Sequence, residues 1–109
     1  MTARLNQSLR ELAADFREIL ATAQEKRDDR PDLVTVNGSL ECEWALYERE
    51  VMHREVNRVR ADTGLTPLPI EAVTRVENLA VGHSDYSRKF AFYCAELAQG
   101  YSDFPRSQR

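Results

Sequence analysis

Glu50 and His53 stand three residues apart, a spacing that on a helix puts a carboxylate and an imidazole on one face, as in carboxylate-bridged di-iron bundles. That chemistry would make the chain an oxidase or an iron store. Projected on a helix counted from Trp44, however, both residues lie away from the apolar arc, so the pair reads as part of a solvated face. A single Glu-x-x-His also supplies only half of such a ligand set, and neither a metal nor another cofactor is expected.

Glu41, Glu48 and Glu55 recur every seven residues and project inside the apolar arc, dividing it into two stripes. One stripe holds Leu40, Trp44, Tyr47 and Val51, and the other Ala45, Met52, Val56 and Val59. A helix patterned in this way packs against two neighbours with carboxylates in the seam. Each carboxylate then needs a cation, a hydroxyl or water, because an unpaired buried charge costs several kcal/mol. Two readings stay open: wet carboxylate heads at a groove edge, or a buried polar seam that fixes the register of a bundle or dimer.

Gly82-His83-Ser84-Asp85-Tyr86, with Lys89 one turn later, is the densest polar cluster between apolar segments. The plain reading is a helix stop at Gly82, a cap at Ser84 or Asp85, and His83 on a backbone carbonyl. The functional reading uses the start of the next helix, with His83 and Lys89, to hold an anion or an acidic side chain. His83 has no nucleophile to serve, because Ser, His and Asp within three residues are sequence neighbours and no triad. No enzyme is expected.

These residues need elements to position them. With 109 residues, 42% of them apolar, the chain has the size of one domain that can bury a core without staples. Fifteen basic against eighteen acidic residues, a net charge of −3, weakens any reading built on phosphate attraction. The two cysteines, Cys42 and Cys94, fit neither a disulfide scaffold nor a zinc knuckle. No apolar run approaches a membrane span, and the N-terminus lacks a basic head followed by an apolar stretch, so a cytoplasmic location is expected.

Leu5, Leu9, Leu12, Phe16, Ile19 and Ala23 follow a helical seam, predicting a first helix over Thr2 to Lys26, with residues 28–39 as linker. Leu33 to Val36 with Asn37-Gly38 suits a short β-hairpin around residues 33–43; the competing reading, favoured by the 3.6-residue spacing after Leu40, starts a second helix at Ser39. That helix ends near Asp62-Thr63, with Gly64 as its left-handed stop and Pro67 and Pro69 beyond. A third runs from Ile70 to Val81 with Pro69 in its first turn, and a fourth from Ser84 or Asp85 to Gly100. Residues 40–100 are thus a helical core and 101–109 a loose tail. The fold predicted is an all-α bundle of about four helices.

The fourth helix is apolar almost all round, with Phe92 projecting well away from the face of Tyr86, Phe90 and Leu97. Such a helix is central in its bundle or lies at a subunit contact. Contact surfaces follow on the outer side of this helix, on the first helix and at the Gly82 to Tyr86 corner, with Phe92, Arg88, Lys89, His83, Asp85 and Tyr86 as the contact residues and self-association or docking onto a protein partner as the expected function. The alternative, a small nucleic-acid-binding regulator, would take its cations from Arg49, Arg54, Arg58 and Arg60, on a segment with four basic against seven acidic residues between Pro31 and Thr63.

Three stretches, Trp44 to Asn57, Gly64 to Pro69 and Val81 to Leu97, resemble small uncharacterised proteins encoded by phages of actinobacteria. The resemblance covers about half of the chain and leaves out the first helix. It implies a cytoplasmic accessory protein, made during infection or carried in a prophage, that binds a host or phage component.

Overall fold

The computed structural model describes residues 8–28 and 40–100. It has four helices: α1 Leu9–Asp28, α2 Leu40–Asp62, α3 Ile70–Ala80 and α4 Tyr86–Ala98. No strand occurs among the described residues. Leu40 to Glu43 belong to α2, so the return strand of a hairpin does not form there, because the 3.6-residue apolar spacing prevails over the turn signal of Asn37-Gly38. Leu33 to Gly38, Leu5 and the tail 101–109 lie outside the described residues.

α1 begins at a reciprocal cap. Ser8 N–H donates to Glu11 Oε1 and Glu11 N–H to Ser8 Oγ, each at 3.1 Å, satisfying two amides that the first turn leaves open. α2 ends as Gly64 dictates: at φ 79° the chain turns back, with Gly64 N–H on Ala61 O and Leu65 N–H on Arg60 O. α3 is one residue shorter than expected. Pro69 lies just outside it in extended conformation, and Val81 leaves the helix at ψ 134° and is 58% exposed.

The core draws one face from each helix: Leu12, Phe16 and Leu20 of α1, Met52, Val56 and Val59 of α2, Val73, Val76 and Ala80 of α3, and Phe90, Tyr93, Cys94 and Leu97 of α4. On α1 the seam rotates slightly from its predicted centre, with Leu20 fully buried and Ile19 only half-buried. α4 is the central element, packed against α1, α2 and α3. From Phe90 to Ala98 every residue except Phe92 is buried, which answers why the helix is apolar almost all round. At about 1.5–3 kcal/mol for each large side chain buried, these residues carry the fold.

The connector between α2 and α3 is held by three α2 side chains. Asn57 pairs with both main-chain groups of Leu68, accepting its N–H at 2.8 Å and donating to its carbonyl at 3.0 Å. His53 Nε2 lies 2.7 Å from the same carbonyl and 3.1 Å from Asn57 Nδ2. Arg60, 5% exposed, donates from Nε to Thr66 O at 2.7 Å and from Nη1 to Leu97 O at 2.6 Å in the last turn of α4. Burial pulls its pKa below the ordinary guanidinium value, while the two carbonyls and the negative end of α4 favour the cation.

Candidate functional site

The Glu50/His53 pair divides between two environments. Glu50 is exposed, whereas His53 is half-buried against the connector with Nε2 spent on Leu68 O. The solvated face read for this pair therefore holds for Glu50 and fails for His53, because residues 64–69 fold back over that side of α2. Among the described residues no group of three His, Cys, Asp or Glu is placed to hold a metal ion.

The heptad of glutamates separates. Glu48 is 3% exposed and forms a seam, though with a neighbour that sequence alone does not name. Tyr86 Oη lies 3.3 Å from Glu48 Oε1 and 3.3 Å from Glu77 Oε2, so one phenolic proton is shared between buried carboxylates of α2 and α3. Burial first, and then the two carboxylates, push the Tyr86 hydroxyl above its ordinary pKa. Glu55 instead pairs with Arg58 at i,i+3 near the surface. The side chain of Glu41 lies outside the described residues.

Of the six residues predicted for a contact surface, Tyr86 leaves the set. Its hydroxyl is turned inward to Glu48 and Glu77, and its ring packs on Phe90 with centroids 5.7 Å apart. His83, Asp85 and Lys89 are exposed at the corner between α3 and α4. His83 gives its main-chain N–H, rather than its ring, to Ala80 O at 3.2 Å, and Gly82 makes the turn at φ 97°. Asp85 occupies the N-cap of α4 without a side-chain capping bond and instead faces Arg88 at 3.8 Å. That carboxylate at the start of α4 works against the anion-holding reading of the corner.

Phe92 and Arg88 come together elsewhere. They form the α4 wall of a groove of about 570 Å³ whose α1 wall is Leu9, Arg10, Ala13, Ala14 and Arg17. Phe92 is half-buried rather than fully outward, its ring edge-on to Tyr93 at 6.4 Å. Arg10, Ala13, Ala14 and Arg17 fall at i, i+3, i+4 and i+7, one face of α1 beside its core seam. Three guanidinium groups thus border a floor of alanine, leucine and phenylalanine, with no carboxylate among the described lining residues. Arg10 and Arg17 make no ion pair among the described residues. The two α1 arginines escape a reading centred on the apolar seam; the signal for them is the Ala13-Ala14 pair flanked by Arg at one-turn distances.

A second groove of about 430 Å³ between α1 and α2 is lined by Ile19, Tyr47 and Val51 together with Glu18, Lys26 and Arg54. Its charges are mixed, so it selects no sign of partner. The cations proposed for phosphate contact are largely engaged: Arg60 is buried, Arg58 pairs with Glu55 and Asp62, and Arg49 donates to Thr74 Oγ1. No described helix is long and apolar enough to cross a membrane. Set beside protein-family models, curated proteins and solved structures, the chain finds no match.

Proposed function

We propose that this protein is a small non-enzymatic helical binding module that docks a protein partner on the open face between α1 and α4. One observation carries the reading: Phe92 is the single residue from Phe90 to Ala98 that is only half-buried, packed against the edge of the core, and it lines a groove with Leu9, Ala13 and Ala14 rather than standing alone on the surface. An aromatic in a partly formed groove with arginines at its edge has the composition of an interface centre. The polar groups nearer the core hold helices and the connector together, as His53, Asn57, Arg60 and Tyr86 do.

The test is co-purification with the full chain as bait, comparing the wild type with Phe92→Asp and with Val81→Asp, a control on the exposed apolar residue outside the groove. Thermal melts establish that each variant folds. A partner retained by the wild type and Val81→Asp but lost by Phe92→Asp supports the proposal. Retention by all three, or recovery of nucleic acid in place of protein, contradicts it.

A further inference from the structure

We infer that the α1–α4 groove takes an acidic amphipathic helix from a different protein, with carboxylates about two turns apart flanking an apolar ridge; this deepens the docking reading above and rests on it. The charge argument comes first. Among the described residues, the groove lining carries Arg10, Arg17 and Arg88 and no carboxylate, on a chain whose net charge is −3. Of the three, Arg88 alone has a countercharge, an exposed ion pair of 3.8 Å to Asp85 that a better-placed carboxylate can replace. Guanidinium groups match carboxylates in paired hydrogen bonds, so the groove selects for acidic side chains.

Geometry supplies the shape of the occupant. Arg10 and Arg17 are seven residues apart on one face of α1, about 10.5 Å along the helix axis. A helix laid along the groove meets them with Glu or Asp at the same seven-residue interval. Between the arginines, Ala13 and Ala14 keep the floor low, so a helix backbone can approach closely, and Leu9 and Phe92 supply apolar contact. The same charges argue against a second copy as occupant. A two-fold contact through this groove sets the patch against itself, bringing arginines to face arginines.

The experiment uses the full chain and a fluorescein-labelled synthetic helix with a leucine stripe flanked by glutamates at seven-residue spacing. Its comparators are the same peptide with lysine for every glutamate, and a single-stranded oligothymidine. Fluorescence anisotropy is expected to show binding of the glutamate peptide alone, weakened by added salt. The exposed pair Arg10→Glu with Arg17→Glu should lower that affinity on the order of tenfold and bring in the lysine peptide. Ala14→Glu, on an exposed position that leaves the core untouched, should abolish binding of the glutamate peptide.

Equal binding of both peptides, indifference to the arginine reversals, or tighter binding of the oligothymidine overturns the inference. If the glutamate peptide fails while a co-purified protein is still lost with Phe92→Asp, the docking reading stands and the acidic helix is wrong. If neither responds to Phe92→Asp, both fall.

Discussion

At the scale of single residues, burial sets side chains of one type apart. Arg60 and Arg58 are neighbours on α2 with the same side chain and cannot be told apart by type or spacing. Yet Arg60 is buried and donates to two backbone carbonyls, one in the interior and one in the connector, while Arg58 is half exposed beside Glu55 and Asp62. Arg60→Met should therefore cost about 1–3 kcal/mol, because it removes two charged hydrogen bonds to backbone carbonyls, whereas Arg58→Met should cost under about 1 kcal/mol. Urea unfolding of the two variants against the wild type checks this. Burial also raises the pKa values of the Tyr86 hydroxyl and the Cys94 thiol. A group held protonated in the native state above its unfolded value stabilises the fold below that value and loses the contribution as pH rises. The unfolded chain ionises Cys near pH 8.5 and Tyr near pH 10, so stability should fall above about pH 8.5 and more steeply above about pH 10. The loss is up to about 1.4 kcal/mol per pH unit for each group. Cys94→Ala should remove the first component and Tyr86→Phe the second in urea midpoints measured from pH 7 to the alkaline limit; slopes unchanged in both variants would contradict this.

At the scale of elements, most of the architecture was legible because each helix carries its own period and stop. The Leu12–Phe16–Ala23 seam, the apolar run from Phe90 to Leu97, and the Gly64 turn each depend on residues close in sequence, and the structure agrees with them. What was not legible depends on residues far apart. Nothing near His53 or Asn57 indicates that residues 64–69 return to cover them, and nothing near Glu48 indicates Tyr86, which lies 38 positions away. The fit of connector to α2 is testable at this scale. Asn57→Ala removes the side chain that accepts the Leu68 N–H and donates to its carbonyl, so the Leu68 amide should exchange with deuterium much faster while amides in α4 keep their protection. The start of α1 gives a second test. Ser8→Ala breaks the reciprocal cap with Glu11 and should cost about 1 kcal/mol, seen as a lower melting temperature.

At the scale of the whole molecule, one core centred on α4 takes the large side chains described as fully buried, and the groove beside Phe92 lies at its edge. Phe92 was identifiable in the sequence as the odd residue on an apolar helix, but its partners on α1 were not, since only the α1–α4 packing brings Arg10 and Arg17 to it. Because Phe92 is half-buried, Phe92→Asp should cost about 1–2 kcal/mol yet leave a cooperative melt. Complete unfolding would place the ring in the core instead. The central claim, that this face is a docking surface, is tested most directly by installing a photo-crosslinking amino acid at position 92 of the full chain in cells, with the same residue at position 81 as control. The account predicts covalent adducts to a protein from position 92 alone, with the crosslinked peptide rich in Asp and Glu. Equal adducts from both positions, adducts to nucleic acid, or none from position 92 would contradict it.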